Sequence, residues 1–306
     1  MNKKVTIAVS AGDPDGIGYD LCALLFKIKL KYKIHIYVNK KILFERAKIH
    51  GINNLKNKEI TLIDIQKKNK RDLVLQCIKS AANACFLDKA NALVTLPVNK
   101  AKLSTNKSIF TGHTEYIAKI LKEKKEPLMT FIGNKNCLIA THTTHLSLLD
   151  AIKKVKKKIL IKNIKNLNFS LVNQLGITKP KILVTGLNPH ASENNLFGSE
   201  ESNHIIPAIQ ELKNLKLHID GPVPADTAIL KNNIKKYDCI YYMYHDQALC
   251  AFKALFFDTG VNLTLGLPII RTSVDHGTAE DLVGKTDKIS IKSFLNALNI
   301  AQKFAQ

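Results

Sequence analysis

Val5-Thr6-Ile7-Ala8-Val9-Ser10-Ala11-Gly12-Asp13-Pro14-Asp15-Gly16-Ile17-Gly18 opens the chain and sets its fold class. Val5–Val9 is a short β-branched run that reads as a strand. Asp13–Gly18 is a glycine-bearing turn. Ile17–Lys29 then places apolar residues at helical spacing. Strand, tight turn and helix form the repeating unit of α/β proteins, and the pattern recurs along the chain. Ile34–Val38, Ile60–Ile63, Ala92–Thr95, Thr130–Ile132, Cys137–Ala140, Ile182–Gly186, Cys239–Tyr244 and Val261–Thr264 read as further strands. Asp72–Phe86, Glu115–Leu121, Leu149–Leu175, Glu200–Leu212 and Ile291–Phe304 read as helices. Alternation of this kind predicts an α/β fold with mostly parallel strands, whose ligands gather beyond the carboxyl ends of those strands.

Polar motifs stand at just those ends. His145 in Thr-Thr-His-Leu, His190 in Leu-Asn-Pro-His-Ala and His245 in Tyr-His-Asp-Gln each follow an apolar, strand-like run. Three neutral imidazoles meeting at one divalent cation, with positions left for substrate, form a catalytic arrangement. Taken by spacing alone, the plainer reading is three unrelated hydrogen-bonded side chains. His142 lies three residues before His145 and reads as structural.

Composition narrows the function classes. The 306 residues, 45% of them hydrophobic, suffice for two domains or one large α/β unit. No apolar run is long enough to span a bilayer, and no signal-peptide core precedes Val5, so a cytoplasmic protein without membrane association is expected. Six cysteines without a CxxC pair predict buried free thiols rather than a zinc knot. Lys and Arg number 46 against 25 Asp and Glu, a formal charge of +21. That balance raises the possibility of nucleic-acid binding. The lysines, however, are spread over the whole chain, there is no Trp, and base-stacking platforms are missing. The charge therefore reads as a solvated surface able to attract phosphorylated ligands, with no nucleic-acid partner expected.

Ala11–Gly18, Val94–Lys100, Thr111–Glu115, Gly186–Ala191, Gly221–Thr227 and the block from Tyr244 to Gly284 resemble, in order, motifs of the 4-hydroxythreonine-4-phosphate dehydrogenase family. The stretch Gly260–Ala279 is the most specific of these. The resemblance implies an NAD-dependent, or NADP-dependent, oxidation within pyridoxal phosphate biosynthesis. It also implies two α/β domains with a cleft between them, as in isocitrate and isopropylmalate dehydrogenases. Residues 1–110 with 255–306 would form the terminal domain and residues 111–254 the inserted one.

The family's metal ligands map onto His145, His190 and His245. A set of imidazoles with no carboxylate suits zinc or cobalt better than magnesium, although magnesium stays possible. Substrate binding maps onto His113, Thr114, Lys253, Asn262 and Arg271. The turn residues Asp13 and Gly16, with Gly277, Thr278, Ala279 and Asp281, resemble a dinucleotide site, although the spacing of a standard Rossmann fingerprint is missing. Asp226 in Pro-Ala-Asp-Thr is the acid/base candidate, with a helix-capping alternative; Lys100 is a second catalytic candidate, for substrate or proton-transfer work, and Asp246, next to His245, a third, as an orienter of that imidazole or a substrate contact. A homodimer with a shared active site is implied. Leu96 and Asp15 stand where the family carries glycine and alanine, which bears on substrate and cofactor preference. Other four-carbon acid phosphates, threonate or erythronate 4-phosphate, are the alternative substrates.

Overall fold

The computed structural model describes all residues except 1–3, 107, 124–125, 134–137, 258 and 306. Its eleven strands among the described residues are, in chain order, β1 Thr6–Ser10, β2 Lys33–Val38, β3 Ile60–Asp64, β4 Ala92–Thr95, β5 Leu128–Ile132, β6 Leu138–Thr141, β7 Lys181–Thr185, β8 His218–Val223, β9 Cys239–Tyr242, β10 Val261–Leu265 and β11 Ile270–Ser273. The chain divides into two compact units, Met1–Pro127 with Leu267–Gln306, and Leu128–Gly266.

In the first unit the strands run β3-β2-β1-β4-β11, all parallel. Parallel neighbours need crossovers, and helices α1 Gly18–Leu24, α2 Lys40–Ile49 and α3 Lys70–Phe86 supply them. Two short helices follow, α4 Lys100–Leu103 and α5 His113–Ile120. Asn39, Asn69 and Asn99 cap α2, α3 and α4 through their side-chain oxygens, which fixes where each begins. The α3 face of Leu73, Cys77, Ile78, Ala81 and Cys85 packs in one core with Leu93, Phe110 and Ile117.

In the second unit the order is β10-β5-β6-β9-β7-β8. β10, β5 and β6 pair antiparallel, and β6, β9, β7 and β8 run parallel. Its helices are α6 Leu148–Lys154, α7 Lys157–Asn173, α8 Ile206–Asn214, α9 Ala225–Ala228, α10 Lys231–Lys236 and α11 His245–Phe256, while α12 Lys292–Phe304 belongs to the first unit. Phe131, Ile139, Ile240, Tyr242 and Phe252 fill the core of the second unit.

Differences from the sequence reading have local causes. β8 was not expected, because Gly221-Pro222 lies inside it; at the edge of the sheet the missing proline N–H costs no ladder bond. β11 carries Arg271 at its second position, which broke the apolar pattern although that side chain is buried. The expected helix Leu149–Leu175 is two, since Val155 turns inward and Lys156 is extended. α2 buries only Leu43 and Ala47, too few to print a periodicity. α11 was not among the expected helices, its polar start masking the apolar spacing that follows. Cys137, the first residue of one expected strand, lies outside the described residues. The first unit extends to Pro127 because α5 packs on α3.

Candidate active site

Three adjacent parallel strands of the second unit, in the order β6-β9-β7, each deliver one of the three histidines just beyond its carboxyl end. His145 follows β6 and holds a left-handed backbone, φ 46°. His245 is the first residue of α11, and its ring centroid stands 5.5 Å from that of His145. Asp246 Oδ1 lies 2.7 Å from His245 Nδ1. A carboxylate there fixes the ring and leaves Nε2 to face a cation, the usual outer-shell partnership of a metal-binding imidazole.

His190 follows β7, and its ring packs beside Phe197 at 6.1 Å. From His190 to Asn195 six consecutive residues have positive φ, a turn of left-handed helix. For L-residues that conformation costs roughly 1–2 kcal/mol each, less for asparagine, and such strain concentrates at functional sites. Among the described residues no group of three or more His, Cys, Asp or Glu side chains is arranged to hold a metal ion within one chain. The donor chemistry of the His145–His245 pair, with its carboxylate partner, fits a divalent cation; the third imidazole does not join them. His142 has Nδ1 at 2.9 Å from Tyr241 Oη and Nε2 at 3.0 Å from Lys154 O, so its nitrogens are engaged structurally.

The other acid/base and substrate candidates of this unit differ in setting. Asp226 is exposed in the first turn of α9, which is capped at Pro224 rather than by Asp226. Lys253 is exposed on α11. Asn262 sits mid-strand in β10 with its Oδ1 buried and without a hydrogen-bond donor. Such an orphaned acceptor suits a ligand donor.

The first unit holds a cationic cluster at the start of α5. Arg271 is buried, with Nε at 3.2 Å and Nη2 at 2.6 Å from Thr95 Oγ1, and Nη1 at 3.3 Å from Thr114 Oγ1. Burial draws its pKa down to about 10, partly offset by Glu115, and leaves it fully charged near neutrality. His113 opens α5, its Nε2 buried and unpartnered. Burial, with Arg271 and Lys100 nearby, holds its pKa well below the usual imidazole value. The ring is therefore neutral at pH 7 and able to donate or accept one hydrogen bond. At the cap, a Cβ on Gly112 would stand 2.7 Å from Glu115 Oε2 and 3.7 Å from Lys100 Nζ, so both side chains crowd the helix start. Guanidinium, helix N–H groups and lysine together suit a phosphate.

The expected dinucleotide residues also lie in this unit. Ile17 N–H donates to Thr278 O at 2.9 Å, and a Cβ on Gly16 would stand 2.8 Å from that same oxygen, so turn and loop touch. Ala279 is left-handed, φ 44°, and Gly277 has open space where a side chain would be. An open glycine backbone lets a dinucleotide come close. Asp13 is buried and accepts from Asp15 N–H at 2.9 Å, while Asp281 is exposed. Asp15, the departure from the family pattern, pairs with Lys70 at 2.6 Å and Lys102 at 3.3 Å; Lys102 also reaches Glu280 at 2.9 Å.

A buried hub, its side chains outside the motifs of the sequence, fastens this loop. Asp20 takes Arg46 Nη1 at 2.6 Å, His50 Nε2 at 2.6 Å and Gly284 N–H at 3.1 Å. Arg46 also donates to Pro14 O at 3.1 Å, and His50 Nδ1 stands 2.8 Å from Thr286 Oγ1. The signal was present as one acid inside the apolar face of α1, where only a buried partner makes it tolerable.

The family model for pyridoxal phosphate biosynthetic protein PdxA matches residues 8–301. A 4-hydroxythreonine-4-phosphate dehydrogenase of Chromobacterium violaceum is 35% identical, covering 100% of this chain and 98% of that protein. The crystal structure of the protein so named from Klebsiella pneumoniae superposes with a TM-score of 0.87 at 28% identity, covering 100% of both chains. That from Burkholderia phymatum gives 0.83 at 32% identity, covering 99% of each.

Proposed function

Because this chain belongs to the family of pyridoxal phosphate biosynthetic protein PdxA, we propose that it oxidises 4-phosphohydroxy-L-threonine with NAD or NADP. It is a dehydrogenase of the 4-hydroxythreonine-4-phosphate type. The observation that carries the substrate assignment is the buried, charged Arg271 beside neutral His113 at the start of α5. A permanent cation and helix N–H groups match a phosphate monoester.

Arg271, Thr114 and His113 bind the phosphate, with Lys253 and Asn262 as further substrate contacts. His145, His190 and His245 would hold a divalent cation, zinc before cobalt or magnesium, which when bound would supply polarisation of the substrate hydroxyl. Asp246 orients His245 through the 2.7 Å contact. Hydride would pass from the hydroxyl carbon to a bound nicotinamide, and the hydroxyl proton would pass to a base for which Asp226 and Lys100 are the candidates. The resulting 2-amino-3-oxo-4-phosphooxybutanoate is a β-keto acid and loses carbon dioxide, leaving 3-amino-2-oxopropyl phosphate. Asp13, Gly16, Gly277, Thr278, Ala279 and Asp281 hold the dinucleotide. The metal set, two imidazoles adjacent and a third apart, is completed across a homodimer. A biosynthetic role of this kind belongs in the cytoplasm.

The test follows reduced nicotinamide by absorbance with 4-phosphohydroxy-L-threonine, before and after chelation and with zinc, cobalt or magnesium restored. Metal-dependent turnover is expected. Turnover only with threonate or erythronate 4-phosphate would move the substrate to the sugar-acid class, and silence on all of them would refute the reading.

A further inference from the structure

Gly186-Leu187-Asn188 connects β7 to the left-handed turn that carries His190. Two side chains grip this short segment from outside it. Gln247, in the first turn of α11, uses both ends of its amide. Its Oε1 accepts from Met243 N–H at 2.9 Å and from the Thr185 hydroxyl at 3.3 Å, and its Nε2 donates to Gly186 O at 2.9 Å and Leu187 O at 3.5 Å. Glu201 is buried, at 1% exposure, and opens a π-helical turn. Its Oε1 accepts from the N–H groups of Leu187 and Asn188, both at 2.8 Å, and its Oε2 accepts from Asn188 Nδ2 at 2.9 Å.

The Leu187 residue is thus held at both its N–H and its C=O. The segment leaves no slack, since a Cβ on Gly186 would stand 2.8 Å from Ala191 Cα and 3.0 Å from Glu201 Oε1. An amide has two donors and two acceptor sites, and Gln247 uses all four on the strand ends and loops that lead to His190 and His245. A backbone in a strained left-handed turn keeps that shape only when its surroundings over-determine it. A buried carboxylate on two backbone N–H groups and an amide on two carbonyls are such surroundings.

We propose that Gln247 and Glu201 are positioning residues for metal binding: they hold the turn bearing His190 in fixed relation to the helix bearing His245. The inference rests on the reading that the three imidazoles bind a divalent cation. Neither side chain is a ligand; each acts through the backbone of residues 186–188. Outer-shell partners of metal ligands typically contribute 10–100-fold to affinity.

The experiment uses the full chain stripped of metal, with zinc affinity read by competition against a chromophoric chelator and thermal midpoints recorded with and without zinc. Gln247→Leu and Glu201→Gln should each weaken zinc binding about 10–100-fold and shrink the zinc-induced rise in midpoint. Gln247→Glu keeps the acceptor for Met243 and Thr185 but loses the donors to Gly186 and Leu187. It should show the same loss, and it keeps the inference testable if Gln247→Leu does not fold. Lower metal-free midpoints with zinc affinity unchanged would assign both residues a purely structural role and overturn the inference. Wild-type affinity no greater than that of His190→Ala would instead overturn the metal reading beneath it.

Discussion

Replacing Asp20 with alanine tests how the proposed dinucleotide loop is held. The carboxylate has no exposed surface, and neither does the His50 side chain; the Arg46 side chain is 11% exposed. Removing Asp20 leaves a nearly buried guanidinium without its counter-charge and also strips acceptors from His50 and Gly284 N–H. Breaking a buried pair on one side costs about 3–5 kcal/mol, because the remaining charge is stranded. For a unit of this size each kcal/mol lowers the midpoint by about 2–4 °C, so a fall of about 6–20 °C is expected. Urea and thermal unfolding of the metal-free protein read it directly. In an Arg46→Met background Asp20→Ala should cost clearly less, because no charge is then stranded, and the double-mutant cycle isolates that coupling. The same hub fastens Pro14 and the segment 284–286, so KM for the dinucleotide should rise more than KM for the phosphorylated substrate. A stability loss below about 1 kcal/mol, or a coupling near zero, would refute the argument that this carboxylate holds the loop.

Arg271→Lys keeps the charge but loses the fork that reaches Thr95 and Thr114; kcat/KM should fall about 10–100-fold, the worth of one or two charge-assisted hydrogen bonds. Unchanged kcat/KM would remove Arg271 from the substrate. Heterodimers made from pairs of the single variants His145→Ala, His190→Ala and His245→Ala should regain about a quarter of wild-type turnover in statistical mixtures when the two lost imidazoles come from different chains of one site. The restoring combinations identify the ligand that crosses, and no restoration in any verified heterodimer would refute a shared site. The pKa of His113 is lowered in the fold, so the unfolded chain binds the extra proton below its own value of about 6.5, and stability should fall as pH drops through that value. His142, lowered by burial, adds in the same sense. Urea midpoints measured from pH 7.5 to 5 should slope downward, and His113→Gln should flatten part of that slope; a level profile would contradict the neutral, buried imidazole.

Much of this molecule is legible in its sequence for a plain reason. Strands buried on both faces need unbroken apolar runs, so Ala92–Thr95 appears in the structure with the bounds its residues predict. Helices with one wide apolar face, such as α3 and α12, announce themselves by spacing. The histidines could be placed at strand ends because each polar motif interrupts such a run. Elements that depend on context stayed hidden: β8 tolerates its proline at an edge, and β11 carries a buried Arg271 to which Thr95 and Thr114, distant in sequence, offer oxygens. Local pattern carries no information about such partners. By itself the sequence determined the α/β class, the motif order and the residue types of the site, since these follow from short-range periodicity and side-chain chemistry. Only the tertiary structure decided that β6, β9 and β7 are neighbours, that His145 and His245 meet while His190 rides a left-handed turn, and that Asp20 and Gln247 each tie loops together. Those facts depend on which strands pair and on which buried polar groups must find partners across long separations, and folding alone settles them.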